Sequence, residues 1–237
     1  MLTLGIDTST DNLGLALIEN DIIKAEYNLS LKRKHSEKLL PLMVDIFANI
    51  GIRPQAIDAA VVAIGPGSFT GLRIGITTAK ILARIFDIPV KGISTLEIMA
   101  AGVESEYILP LLDARRERVY YSFYKLNYKE NDYLPKTLLT AAGARISELS
   151  NILRNYKDKE ITVIGEKRHE VIDHLKTNKF LVNQSAAEKN IPRAAVLARL
   201  GRDYIDQGQK DDIYELKPTY LKQPQAEIDW QKKYGDN

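Results

Sequence analysis

Two aspartates stand where apolar strand patterns run into polar turns. Leu2, Leu4 and Ile6 alternate up to Asp7, the polar run Thr8 to Asn12 follows, and Leu13, Leu15 and Leu17 resume the period-2 pattern. Ile108 to Leu112 likewise runs up to Asp113, Arg115 to Arg118 is polar, and Val119, Tyr121 and Phe123 alternate again. Asp7 and Asp113 lie 106 residues apart, as do Leu13 and Val119. A carboxylate in a strand–turn–strand unit can help hold a magnesium–phosphate group where small residues after it let backbone amides approach. Here Thr8 and Ser9 follow Asp7, and Ala114, Arg115 and Arg116 follow Asp113. That bulk crowds a phosphate hairpin, so turns that only shape their sheets are the favoured reading. Asp7, Thr8 and Asp113 remain candidate anion or nucleotide contacts.

The segment Gly65-Pro66-Gly67-Ser68-Phe69-Thr70-Gly71-Leu72-Arg73 is the most informative. Its glycines allow a tight strand-to-helix passage, Ser68 or Thr70 can cap the helix, and free amides with Arg73 could hold an anion. Gly67, Ser68, Thr70 and Arg73 therefore join the candidate anion contacts, against the alternative of a close-packed turn. No Gly-Lys-Ser/Thr ends the loop, which removes Walker-type hydrolysis. His35 has Leu39, not a second histidine, four residues on, and His169 and His174 are five apart, so neither spacing makes a helical metal pair. We expect no metal, and we read His35 as a partner contact. Arg115, Arg116 and Arg118, and Lys32-Arg33-Lys34, read first as solvated turns, with RNA contact open to either within a larger surface.

The elements that position these residues follow from periodicity. Three antiparallel strands open the chain, the third from Ile22 to Leu29, and a helix covers Ser30 to Ile50 with Pro41 expected to start or kink its main part. A buried strand, Ala59 to Ile64, delivers the glycine-rich loop, and a long helix runs to about Phe86. That helix has two apolar faces, one of Leu72, Ile76, Ala79, Ala83 and Phe86 and the other of Ile74, Ile81 and Ile85. A helix with water outside needs one such face, so the second implies another layer or a partner. Pro89 to Ile93 is a strand, and Ser94 with Glu97 has capping-box spacing. The second half echoes this order with a helix at Arg145 to Arg154, a strand at Ile161 to Ile164, a helix near Glu170 to Leu175 and another at Arg193 to Ile205. We read two related halves, 1–103 and 104–222, and a polar tail, 223–237, that holds Trp230.

Composition narrows the class. The 237 residues are 45% hydrophobic and 27% charged, the balance of a globular protein rather than a disordered or fibrous one. Zero cysteines remove disulfides, thiolate metal sites and a cysteine nucleophile. A net charge of +2 is too small for a protein whose main task is gripping nucleic acid. Neither a secretory signal nor a run of about 18 apolar residues is present, and we expect a cytoplasmic protein.

Taken together, Leu4-Gly5-Ile6-Asp7-Thr8-Ser9, His35-Ser36-Glu37-Lys38-Leu39-Leu40-Pro41, Gly65 to Gly75, Ser94-Thr95-Leu96-Glu97 and Asp113-Ala114-Arg115-Arg116 resemble the TsaB, or YeaZ, family of bacterial tRNA modification. Pro218-Thr219-Tyr220-Leu221-Lys222 is similar to the family's C-terminal element. The resemblance implies an α/β chain of the actin-like ATPase/sugar-kinase, ribonuclease H-like fold, with two tandem halves of five-stranded mixed sheets flanked by helices. It implies a non-catalytic subunit that pairs with TsaD, and in a larger complex with TsaE, for threonylcarbamoyl transfer to the adenosine beside the anticodon of tRNAs reading codons that begin with A. It further implies a homodimer when alone, only indirect contact with tRNA, no membrane, no cofactor of its own, and ATP bound only in the assembled complex. From the two-faced helices we expect the partner interface to use His35, Leu39, Leu42, Met43, Ile46, Leu72, Arg73, Ile76, Ala79, Lys80 and Ala83. The rival functions are a nucleotide-dependent kinase or ATPase and a glycoprotease-like metallopeptidase.

Overall fold

The structure, a computed structural model, describes residues 1–32, 34–127 and 132–221, with backbone alone at 132 and 133. Arg33 and the 223–237 tail with Trp230 lie outside the described residues. The chain folds as two sheets of the same plan. The first half holds β1 (Leu2–Asp7), β2 (Asn12–Glu19), β3 (Ile22–Ser30), α1 (His35–Ile50), β4 (Ala59–Gly65), α2 (Phe69–Phe86), β5 (Val90–Ser94) and α3 (Thr95–Ala101). The second holds β6 (Tyr107–Asp113), β7 (Arg118–Asn127), β8 (Asp132–Arg145), α4 (Leu149–Ile152), β9 (Glu160–Gly165), α5 (Arg168–Thr177), β10 (Leu181–Gln184) and α6 (Ala194–Asp206).

Strand order is β3-β2-β1-β4-β5 in one sheet and β8-β7-β6-β9-β10 in the other. In each, the first three strands pair antiparallel and the last two join in parallel. The 106-residue offset read from the two aspartates is therefore an offset between equivalent strands. Asp7 ends β1 opposite Gly14, and Asp113 ends β6 opposite Val119.

Alternation along the strands sorts the cores. Leu4, Ile6, Leu13, Leu15, Leu17, Ala60 and Val62 point to the α1 and α2 side, where they meet Leu39, Met43, Ile46, Leu72, Ile76, Ala79 and Ala83. On the other face Val61 and Ala63 pack with Leu197 and Leu200 of α6, and Ala16 packs with Ala194 and Ala198. This face is lined by small residues because α6 lies very close: a Cβ added at Gly201 would stand 2.2 Å from both Val61 methyls.

The last helix of each half crosses to the other. α3 covers the inner face of the second sheet, with Leu96, Met99 and Ala100 against Ile108, Leu112, Tyr124 and Ile164, while α6 covers the first. Val171, Ile172 and Leu175 of α5 close the far side of the second sheet. A cut in the chain near residue 103 thus divides the sheets but not the helices that cover them.

Local expectations fail at three points. Ser94 stands at the N-cap of α3 as expected, but its side chain makes no capping hydrogen bond, and Glu97 instead accepts from the Tyr204 hydroxyl of α6, a tertiary partner outcompeting the local box. Helix α1 begins at His35 and continues through Pro41. The helix expected at 145–154 breaks into α4 flanked by two 3-10 turns, because β8 extends to Arg145 and uses up its start.

Candidate functional site

The β4–α2 loop and the β1–β2 turn fold against each other. Ser68 caps α2, its hydroxyl accepting from the Gly71 amide at 3.2 Å. The Ser68 amide donates to the Ser9 carbonyl at 2.7 Å, and the Thr8 hydroxyl donates to the Gly71 carbonyl at 2.7 Å. The glycines exist for this contact. A Cβ at Gly67 would stand 2.1 Å from the Ser9 oxygen, one at Gly71 2.0 Å from the Thr8 oxygen, and one at Gly75 2.4 Å from Thr8 Oγ1.

This geometry favours the close-packed turn. The surface on which a phosphate would sit, between the Gly67 and Gly71 backbone and the β1–β2 turn, is filled by Thr8 and Ser9 of the chain itself. Gly67, Ser68 and Thr70 keep solvent-facing edges, but the cradle between loop and turn does not fit a phosphate group. Of the candidate anion contacts, Thr8 is buried in this packing, whereas Gly67, Ser68 and Thr70 stay exposed at the rim of the loop.

Asp7 lies on the α6 side of the first sheet and is 1% exposed. Its Oδ1 accepts from the Ser9 amide at 2.8 Å, while Oδ2 has no hydrogen-bond partner among the described residues. Burial drives its pKa up to about 6 against the counteracting Ser9 hydrogen bonds and the nearby His35. Asp113 is half-buried at the equivalent strand end: its Oδ1 accepts from the Arg115 amide at 2.8 Å, and its own amide donates to Glu166. Each aspartate accepts the amide two residues on, and the two differ in burial.

His35 is corrected from a partner contact to an internal one. It is buried at the start of α1, with Nε2 3.3 Å from the Asn12 carbonyl. Among the described residues no three His, Cys, Asp or Glu side chains gather into a group able to hold a metal ion.

Arg73 is tied to the C-terminal segment. Its guanidinium lies 3.9 Å from the Phe69 ring centroid, its Nε donates to the Tyr220 hydroxyl at 3.1 Å, and Phe69 and Tyr220 stack at 4.7 Å. The Thr219 amide donates to the Ile64 carbonyl at 2.7 Å, and Lys80 Nζ donates to the Leu216 carbonyl at 3.2 Å. Residues 211–221 therefore strap the edge of the first half, and Asp211 adds an ion pair to Lys91 at 2.9 Å. Sequence periodicity carries no signal for this strap, which is held by isolated side-chain and backbone contacts rather than by a periodic apolar face.

The expected interface is also corrected. Leu39, Met43, Ile46, Leu72, Ile76, Ala79 and Ala83 are buried in the first core, Leu42 is half-buried against it, and none offers a free face. The outward faces of α1 and α2 carry instead Leu40 at 60% exposure, Val44 at 70%, Ile81 at 52% and Ile85 at 67%. Of the two faces of α2, the one with Ile81 and Ile85 points out. Next to it, Ile213 and Tyr214 of the strap complete a groove of about 450 Å³ with Thr77, Lys80 and Arg84.

The TsaB protein of Bacillus subtilis, a tRNA threonylcarbamoyladenosine biosynthesis protein, is 35% identical over 97% of this chain and 98% of its own length. The chain belongs to the TsaB (YeaZ) family. A family profile described as "TsaD: tRNA N6-adenosine threonylcarbamoyltransferase" matches residues 25–230, so the TsaB sequence keeps the imprint of the transferase family. TsaB of Escherichia coli is 37% identical over 53% of this chain and 55% of its own length. A transferase of that name from Nitratidesulfovibrio vulgaris is 30% identical over 65% of this chain and 48% of its own. The solved YeaZ structure from Pseudomonas aeruginosa superposes with a TM-score of 0.79 at 24% identity, covering 93% of this chain and 99% of that one. A sugar kinase, the ROK hexokinase of Thermus thermophilus, superposes at 0.50 and 11% identity over 87% and 100% of the two chains. The fold is the actin-like ATPase/sugar-kinase fold, and the TsaB relatives put the chain in threonylcarbamoyladenosine synthesis on tRNA.

Proposed function

We propose that the chain is the non-catalytic TsaB subunit that pairs with the threonylcarbamoyltransferase TsaD and activates it, with TsaE joining a larger assembly. The observation that carries this reading is the outward apolar surface of α1 and α2, where Leu40, Val44, Ile81 and Ile85 stand exposed on two helices packed side by side. Large side chains this exposed in a contiguous arrangement mark a protein-binding surface. In the same half, the loop that would take a phosphate is closed by the chain's own turn, which supports a supporting rather than a catalytic part. ATP, in this reading, binds only in the assembled complex, and the chain alone pairs with a second copy through the same helices. On this reading the protein works in the cytoplasm, where tRNA is modified. Among the described residues no helix is long and apolar enough to cross a membrane.

Reconstitution tests the proposal. Threonylcarbamoyladenosine formed on a tRNA transcript is measured with TsaD and TsaE in the presence and absence of this chain. Product that depends on the chain, with none from the chain alone, is the expected result. Equal product without the chain, or ATP hydrolysis by the chain alone at the rate of the full set, contradicts it.

A further inference from the structure

The turn that repeats the Asp7 turn in the second half is built differently. Arg115, Arg116 and Glu117 take the left-handed conformation in succession, with φ of 68°, 52° and 57°, and no glycine among them. A residue with a Cβ adopts this conformation only at a steric cost, and such strain gathers at functional positions. No residue of the Thr8–Asp11 turn has a positive φ. Within the strained turn the Arg118 amide donates to the Arg115 carbonyl, whereas the Arg116 and Glu117 amides make no hydrogen bond among the described residues.

An open polar cavity of about 650 Å³ adjoins this turn, lined by Arg116, Glu117, Arg145, Ser147, Lys167 and Glu170 among others. Its acids are partly spent. Glu170 pairs with Lys167 at 2.8 Å, and outside the cavity lining Glu148 accepts the Arg145 amide and Glu166 the Asp113 amide. Arg116 and Arg145 have no carboxylate partner among the described residues, so two guanidiniums face one cavity against the single unpaired carboxylate of Glu117.

We propose that this cavity is an RNA-backbone contact, with Arg116 and Arg145 holding a phosphate of the tRNA and the free amides of the strained turn beside it. The planar guanidinium fork suits phosphate oxygens, and backbone contacts of this kind position RNA without reading its sequence. The small net charge of the chain fits one local contact added to a partner's larger surface. The proposal rests on the reading of the chain as a subunit acting on tRNA.

Fluorescence anisotropy of a labelled tRNA transcript tests it, with the chain together with TsaD. Two double variants are compared with the wild type: Arg116→Gln with Arg145→Gln, and Lys136→Gln with Lys176→Gln, which removes the same charge outside the cavity. The arginine pair is expected to weaken binding tenfold or more in 0.1 M salt and to lower the slope of log K against log[salt] by about 1, the share of the single phosphate contact. The lysine pair is expected to leave both nearly unchanged, and both variants to co-elute with TsaD. Equal losses in the two variants, an unchanged slope in the arginine variant, or competition by inorganic phosphate at millimolar concentration would overturn the RNA contact. Loss of co-elution in the arginine variant with tRNA binding unchanged would assign the cavity to a protein instead. Failure of the wild-type chain to pair with TsaD strikes the subunit reading and is seen in the elution profile alone.

Discussion

The Thr8 hydroxyl donates to the Gly71 carbonyl at 2.7 Å, joining the first turn of the chain to the first turn of α2 across 63 residues of sequence. The same two residues approach so closely that a Cβ at Gly71 would stand 2.0 Å from the Thr8 oxygen. A glycine-rich loop whose sequence suggests an anion contact is, on its inner side, packed against the β1–β2 turn.

Gly71→Ala is therefore expected to destabilise the fold by about 2–4 kcal/mol, since a backbone oxygen rather than a flexible side chain must move. Gly143→Ala is the control. Its added Cβ would meet only the Tyr120 ring at 3.6 Å, and its effect is expected within about 0.5 kcal/mol. Urea denaturation followed by circular dichroism measures both.

Asp7 gives the stability a pH dependence of unusual sign for a carboxylate. Its pKa of about 6 in the fold lies above the ordinary 3.8, so between these values the folded chain binds a proton that the unfolded chain does not. The contribution is fully present below pH 3.8 and is lost as pH rises through 6. Asp7→Asn keeps an acceptor for the Ser9 amide and removes the buried charge. It is expected to raise stability at pH 7.5 by about 1–3 kcal/mol, with the difference shrinking toward pH 4. Melting curves of wild type and variant from pH 4 to 8 check this, and parallel profiles would contradict it.

Glu26 on β3 is the anchor of α6. It accepts from the Arg193 guanidinium and, at 3.0 Å, from the Ala195 amide in the first turn of the helix. Burial pushes its pKa up, but these donors outweigh it and hold the carboxyl below its usual range. Glu26→Ala is expected to cost about 1–3 kcal/mol, because it leaves the Arg193 charge and a helix amide without their partner. Hydrogen exchange at the α6 N-terminus is expected to quicken more than exchange in α5. A low-pH loss of the same contact follows from the lowered pKa, with stability falling as the carboxyl protonates.

Much of the fold was legible because strand alternation and helix periodicity are strong over these segments. The three opening strands, the long α2 and the repeated strand–turn–strand at Asp113 all stand where the pattern puts them. What the pattern could not reveal was which face of α2 meets the sheet. Leu72, Ile76, Ala79 and Ala83 on one side and Ile74, Ile81 and Ile85 on the other are equally apolar, and only the close approach of α2 at Gly71 and Gly75 turns the first set inward. The capping box at Ser94 and Glu97 misled for a related reason: the partner of Glu97 is Tyr204, 107 residues away, and local spacing does not record it. The long β8 was missed because its Thr, Ala and Gly residues have little alternation.

The pairing of this chain with TsaD through the outward faces of α1 and α2 is the central claim, and size-exclusion chromatography of the mixture with Val44→Glu and Ile85→Glu combined tests it most directly. Both side chains are exposed, so the variant is expected to fold with unchanged circular dichroism and to melt within a few degrees of the wild type. It is expected to elute separately from TsaD while the wild type co-elutes. Co-elution of the folded variant with TsaD at wild-type strength would show that the partner sits elsewhere.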